Sequence, residues 1–178
     1  CFRKISTSGE TFQKSWAMQR ILKISPKYVL RISMSRNFWY YHYMKLIIYT
    51  DGASRGNPGF SSYGFTISDK ERKLLHEEGE YIGQTTNNVA EYTAVLRALK
   101  WVQKNFSDKK VEIELFADSK LAAEQLSGRY KIKHPNLKPL FSQIKILEME
   151  LGNIKYTHIP RGKNTEADGL ANKALDNR

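Results

Sequence analysis

The sequence predicts a mixed α/β domain with a five-stranded sheet flanked by helices, and two observations lead to this prediction. Three β-rich segments come first, separated by short links, which favours antiparallel hairpins. Helices and strands then alternate to the end of the chain, which favours parallel strands with helices packed on the sheet. The 178 residues have an ordinary globular composition and suffice for one domain of about 130–150 residues plus an appendage.

The first three strands are predicted at 45–50, 60–68 and 74–83. They are rich in β-branched and aromatic residues, and the polar stretch DKERK separates the second from the third. The first strand runs straight into Asp51, and the stretch GASRGNPG follows it. Its three glycines and its proline predict a flexible loop.

The remaining elements alternate between helix and strand. Helices are predicted at 88–106, 119–126, 137–151 and 165–175, and strands at 111–117 and 154–159. The first helix has the clearest amphipathic pattern, because its apolar side chains recur at helical spacing. Those side chains are Val89, Tyr92, Val95, Leu96, Leu99 and Val102.

Residues 1–43 differ in composition from the body at 44–178. They contain eight Lys/Arg and one acid, so they carry most of the net charge of +11, and they end in an aromatic cluster before Met44. Three interpretations remain open: an organelle presequence, a basic nucleic-acid-binding arm, or a wrongly assigned start with Met44 as the initiator. We favour a disordered leader or a start-site artefact.

The bulk composition narrows the classes of partner and compartment. A basic chain often binds nucleic acid or another polyanion, although the body alone, with 21 basic and 17 acidic residues, is only mildly basic. No apolar stretch approaches the ~20 residues of a membrane helix. The single cysteine, Cys1, excludes an intrachain disulfide. The low cysteine content fits a reducing compartment, so we expect the cytoplasm, or an organelle if the leader is a presequence. We also expect a monomer.

Two aspartates, Asp51 and Asp118, each follow an apolar strand directly. Ligands of open α/β sheets bind at the carboxyl ends of the strands, and two neighbouring carboxylates there would need a hard divalent cation such as Mg²⁺ or Mn²⁺. Each aspartate taken singly is better interpreted as a turn or helix cap.

Two further acids lie on helices. Glu91 shares a helical stripe with small and apolar residues, so it leans toward the packed side and needs a partner there. Asp168 lies in a similar stripe of the last helix. Both have an alternative role in a capping box, Glu91 with Asn88 and Asp168 with Thr165. Periodicity does not show whether the four acids converge.

Four blocks in this order and spacing, YTDGASRGNPG, TTNNVAEYTAVLRAL, LFADSKLAAEQL and NTEADGLANKAL, closely resemble type 1 ribonuclease H. The resemblance covers residues 45–175 and implies the ribonuclease H-like fold, a mixed five-stranded sheet flanked by helices. It also implies an endonuclease that hydrolyses the RNA strand of RNA–DNA hybrids, leaving 5′-phosphate products. The family's four carboxylates, which hold two Mg²⁺ or Mn²⁺ ions, match Asp51, Glu91, Asp118 and Asp168.

The resemblance also implies a set of substrate-binding residues in the polar loops. Backbone amides and short amide side chains suit the 2′-hydroxyls that distinguish RNA from DNA. The expected residues are Gly52, Ser54, Asn57, Thr86, Asn87, Asn88, Lys120 and Arg161.

Three departures from the family's better-known members stand out. The loop before the last acid is short and lacks their histidine, since His158 belongs to the last strand, and Arg161 is the candidate substitute. The basic protrusion is replaced by a short stretch with a smaller cationic patch. Lys120 stands where a glutamine is frequent. A branch member that also cuts double-stranded RNA, and a non-catalytic nucleic-acid-binding module on the same fold, remain alternatives.

Overall fold

The computed structural model describes residues 43–107 and 110–178. The predicted leader therefore lies outside the described residues, except for Tyr43, at which the first strand begins. The elements, in chain order, are β1 Tyr43–Gly56, β2 Gly59–Asp69, β3 Leu74–Thr85, α1 Asn87–Phe106, β4 Lys110–Ala117, α2 Lys120–Leu126, α3 Lys138–Leu151, β5 Ile154–His158 and α4 Thr165–Asp176. Short 3-10 turns at Pro135–Leu137 and Arg161–Lys163 precede α3 and α4.

The five strands form one mixed sheet in the order β3-β2-β1-β4-β5. The first three pair antiparallel, whereas β4 runs parallel to both β1 and β5. The predicted fold class is thus confirmed, and every predicted helix and strand exists, with ends shifted by at most two residues except at the end of β1. None of the helices in the described ranges has the length and apolarity to span a membrane.

The predicted loop after Asp51 is wrong, because β1 continues to Gly56. After Thr50, β1 has lost its parallel partner β4, whose pairing ends at Ala117. It keeps its antiparallel partner β2 as far as the pair Gly56 and Gly59. The glycine-rich stretch is therefore the second half of a long hairpin strand, and the turn is confined to its tip.

The hydrophobic core lies between one face of the sheet and the helices α1, α2 and α3. Alternation along β4 directs Val111, Ile113 and Leu115 into this core, where they meet residues of α1 such as Tyr92 and Leu99. This packing fixes the first turn of α1 against the centre of the sheet.

The helix α4 covers the opposite face of β1, β2 and β3. Its backbone approaches the sheet closely at Gly64 and Gly79, which are paired in register on β2 and β3. A Cβ atom on Gly64 would lie 2.4 Å from the carbonyl oxygen of Ala167. These glycines set the depth of α4 on the sheet, and with it the position of the first turn of the helix.

Candidate active site

Two carboxylates lie side by side at the point where the parallel ladder ends. The last register pair of β1 and β4 is Thr50 with Ala117, so Asp51 and Asp118 are the next residues on neighbouring strands. Asp51 is buried and Asp118 is half-buried. The prediction that Asp118 lies at the carboxyl end of its strand is correct. Asp51 lies within β1, at the point where the pairing of β1 with β4 ends.

A third carboxylate, Glu91, reaches the same place from the first turns of α1. The helix passes so close to β1 that a Cβ atom on Gly52 would lie 2.2 Å from the backbone nitrogen of Glu91. The N-cap is Thr86, whose hydroxyl accepts from the Val89 N–H at 3.4 Å. A capping box between Asn88 and Glu91 is therefore wrong, and the Glu91 side chain points into the site instead.

The three carboxylates form a tight cluster. One oxygen of each of Asp51, Glu91 and Asp118 lies within 4.8 Å of the others. Asp51 is 3% exposed and Glu91 is 5% exposed. Asp51 Oδ2, Glu91 Oε2 and Asp118 Oδ1 are buried and find no hydrogen-bond partner among the described residues. Such orphaned oxygens are costly, because buried polar groups are normally satisfied.

The pKa values of two of these carboxyls respond to this crowding. Burial, and then the charge of Asp118, raises the pKa of Asp51 to about 8. Burial and the charges of Asp51 and Asp118 raise the pKa of Glu91 well above its usual range. The Gly52 N–H and the Asn87 side-chain amide oppose this rise by hydrogen bonding to the Glu91 carboxylate.

The donor set fits a divalent cation. Hard cations prefer carboxylate oxygens, and oxygens on opposite sides of Mg²⁺ lie about 4.2 Å apart. The spacing within the cluster is of that order, and its three orphaned oxygens lack any other partner among the described residues. A bound cation would satisfy these oxygens and reverse the cost of ionising them.

The fourth predicted carboxylate, Asp168, lies near the cluster without joining it. Its Oδ1 accepts from Nε of Arg161 at 3.0 Å and from a second guanidinium nitrogen, and its Oδ2 accepts from Nδ2 of Asn172 at 3.0 Å. A capping box between Thr165 and Asp168 is wrong, because the N-cap of α4 is Asn164 and Thr165 is already the first helical residue. Its charge still contributes to raising the pKa of Asp51.

The predicted substrate-binding residues lie mostly around the hairpin tip and the start of α1. Asn57 Oδ1 accepts from the Asn87 N–H at 3.2 Å, which ties the tip to the helix. The Ser54 hydroxyl donates to the Gly56 carbonyl at the same tip. These residues form a continuous polar surface beside the carboxylates.

The other residues of that predicted set flank this surface. Thr86 and Asn88 are half-buried where α1 begins, and Gly52 gives its N–H to Glu91. Lys120 is exposed at the first residue of α2. Arg161 is exposed in the 3-10 turn before α4 and, as described above, pairs with Asp168.

The three carboxylates open into a cavity of 160 Å³, and two of its polar lining residues, Arg55 and Asn172, were not predicted from the sequence. Strand alternation places Arg55 on the same face of β1 as Asp51, and Asn172 lies one helical turn after Asp168. The spacing of Asn172 from Asp168 is visible in the predicted helix, whereas the position of Arg55 follows only when β1 is extended beyond Asp51. A larger cavity of 440 Å³ between the sheet and the start of α4 contains none of the three clustered carboxylates.

Comparisons with known proteins agree with this geometry. The model of the family described as "Reverse transcriptase-like" matches residues 49–174. A ribonuclease H of Ruthia magnifica subsp. Calyptogena magnifica is 34% identical over 150 residues, which cover 74% of this chain and 96% of that protein. The structure of LC11-RNase H1 in complex with RNA/DNA hybrid is 45% identical, covers 74% of this chain and 97% of the other, and has a TM-score of 0.70.

A longer relative shares only the part that corresponds to this domain. The bifunctional protein Rv2228c of Mycobacterium tuberculosis is 42% identical over 134 residues, which cover 75% of this chain. The matched region spans 36% of the length of that relative.

Proposed function

The chain belongs to the type 1 ribonuclease H family, and we propose that it is a metal-dependent endonuclease that hydrolyses the RNA strand of RNA–DNA hybrids. One observation carries the proposal. Two buried carboxylates and one half-buried carboxylate converge at the mouth of an open cavity, and each has a buried oxygen without a partner in the part of the chain that the structure describes. A binding module would gain nothing from such a cluster, because clustered negative charge repels the phosphates of a nucleic acid.

The carboxylates Asp51, Glu91 and Asp118 would hold two divalent cations, Mg²⁺ or Mn²⁺, together with Asp168. Cations held there would supply the Lewis acidity that lowers the pKa of a water molecule attacking phosphorus and the charge that stabilises the leaving 3′ oxygen. The chain supplies the negative charge, and it holds that charge in place before the substrate arrives. The products would carry 5′-phosphates.

The fixed positions of the ligands come from the fold. Asp51 and Asp118 are set by the register of β1 and β4, and Glu91 is set by the contact of α1 with Gly52. Preorganised charge of this kind needs little rearrangement during the reaction. Asp168 is held by Arg161, whose guanidinium would also be available to a phosphate once cations take up the carboxylate charge.

The polar surface at the hairpin tip would distinguish RNA from DNA. Asn57, Asn87 and Asn88 offer both donors and acceptors, and the backbone of Ser54 adds a further amide. A 2′-hydroxyl is itself a donor and an acceptor, so these groups match the feature by which a protein tells the RNA strand from the DNA strand.

A single assay tests the proposal. The purified chain is incubated with a labelled hybrid, double-stranded RNA, single-stranded RNA or single-stranded DNA, each with Mg²⁺, with Mn²⁺ or with EDTA. We expect the RNA of the hybrid to be cut in either metal and to remain intact in EDTA. Hybrid binding without cutting, independent of metal, would support a binding module and refute the proposal. Cutting of double-stranded RNA as well would identify the broader-specificity branch.

A further inference from the structure

We propose that Arg55 binds a phosphate of the strand being cut, exchanging its ion pair with Asp176 for the substrate. This inference rests on the proposed function, because it needs a nucleic-acid strand at the carboxylates. It assigns to Arg55 a role in positioning the substrate rather than in holding the fold.

The position of Arg55 on β1 supports this assignment. Side chains alternate along a strand, so Asp51, Ala53 and Arg55 share one face. Ala53 packs against Leu175 of α4, which identifies the face. Arg55 lines the same 160 Å³ cavity as the three carboxylates. Four residues of extended strand separate its Cα atom from that of Asp51 by about 13 Å, so its guanidinium would meet a neighbouring phosphate and not the scissile one.

The present partner of Arg55 is easily exchanged. The guanidinium pairs with Asp176 at the end of α4, and the two side chains are 50% and 59% exposed. Exposed ion pairs contribute only about 0.2–1 kcal/mol. A phosphate accepts two parallel hydrogen bonds from a guanidinium, and an arginine therefore suits it better than a lysine does. The exchange costs little and gains a contact to a polyanion.

In the part of the chain that the structure describes, the cavity has few positive side chains that could bind a phosphate, and Arg55 is one of them. Among the described residues that line the cavity, the positive side chains are Arg55 and Arg161. Arg161 is bound to Asp168, whose charge the proposed mechanism uses. Asp176 has no such role, so Arg55 can turn to a phosphate even while Arg161 stays on Asp168.

The test measures hybrid binding as a function of salt concentration. Every protein carries Asp51→Asn so that the RNA stays intact, and binding of a labelled hybrid is followed by fluorescence anisotropy from low to high KCl. One lost phosphate contact reduces the slope of log K against log salt by about 0.7–0.9. We expect that reduction for Arg55→Gln, and a largely restored slope for Arg55→Lys. We expect Asp176→Asn to bind a few-fold more tightly, because it releases Arg55.

The control is Lys104→Gln, which removes the same charge from an exposed position in the last turn of α1. Its slope should stay close to that of the parent protein. An unchanged slope for Arg55→Gln would overturn the inference. It would also be overturned if Arg55→Gln and Asp176→Asn weakened binding equally, with equal losses of melting temperature, since the ion pair would then only support the fold. Cleavage by the wild-type chain, assayed beside these proteins, decides the proposed function separately.

Discussion

Replacement of Gly52 by alanine tests how the site is assembled. A Cβ atom on this residue would lie 2.2 Å from the backbone nitrogen of Glu91 and 2.6 Å from the carbonyl carbon of Ala90. These are backbone atoms, so no side chain can rotate to make room. The first turn of α1 would have to withdraw from β1, and Glu91 would leave the carboxylate cluster with it.

The size of the effect follows from these distances. An ordinary contact begins at 3.4 Å, so α1 must move by more than 1 Å. A misplacement of about 1 Å at a catalytic group can cost on the order of 100-fold in rate. Overpacking a core costs about 1–3 kcal/mol, which lowers the melting temperature by about 2–4 °C for each kcal/mol in a chain of this size. We expect both losses in Gly52→Ala, measured by hybrid cleavage and by thermal unfolding.

A matched control lies in α4. Gly169 is next to Asp168, and a Cβ atom there would meet nothing within 4 Å. Gly169→Ala should keep its cleavage rate and gain about 0.5–1 kcal/mol, because alanine replaces glycine inside a helix. If Gly52→Ala cleaved and melted like the wild-type chain, the close approach of α1 would not position Glu91, and this account of the site would be refuted.

Two further predictions concern stability. Because the pKa of Asp51 is raised, the folded chain keeps a proton that the unfolded chain loses between about pH 4 and about pH 8. In EDTA, the free energy of unfolding should therefore fall as pH rises from about 4 to about 8, and the raised pKa of Glu91 should add to the fall. Mg²⁺ should flatten this dependence, because a bound cation favours the ionised carboxyls; chemical denaturation at several pH values, with and without metal, measures both effects. Asn164→Ala removes the hydrogen bond from Nδ2 to the Thr50 carbonyl at 2.9 Å, which anchors the start of α4 beside Asp51. We expect a loss of about 1–3 kcal/mol by the same method, because the buried carbonyl would be left unpaired, and unchanged stability would contradict this anchoring role.

The sequence predicts the elements well where their patterns are local. Alternation in β4 and the apolar stripe of α1 are visible in the residues, and the stripe also places Glu91 on the packed side, where the structure finds it. The end of β1 was mispredicted because pairing with β2 is a non-local property. Local sequence does not distinguish a glycine-rich loop from a glycine-rich strand that is held by pairing with a neighbouring strand.

Convergence of the acids lies beyond any local pattern. Asp51 and Asp118 are 67 positions apart in the sequence and become neighbours only through strand register. The family resemblance supplied that relation, and the structure brings these two carboxylates together with Glu91. Asp168 shows the limit, because its hydrogen bond to Asn172 follows from helical spacing but its pairing with Arg161 depends on a turn whose geometry no periodicity predicts.

The proposed function requires that the carboxylate cluster binds divalent cations and that the chain cuts the RNA of a hybrid. Single-turnover cleavage of an end-labelled hybrid by the wild-type chain and by Asp51→Asn, in Mg²⁺ and in EDTA, tests it most directly. We expect cutting by the wild-type chain in Mg²⁺ alone, and a rate for Asp51→Asn lower by at least about 10³-fold, since the lost stabilisation amounts to several kcal/mol. Cutting by the wild-type chain in EDTA, or equal rates for the two proteins in Mg²⁺, would contradict the claim.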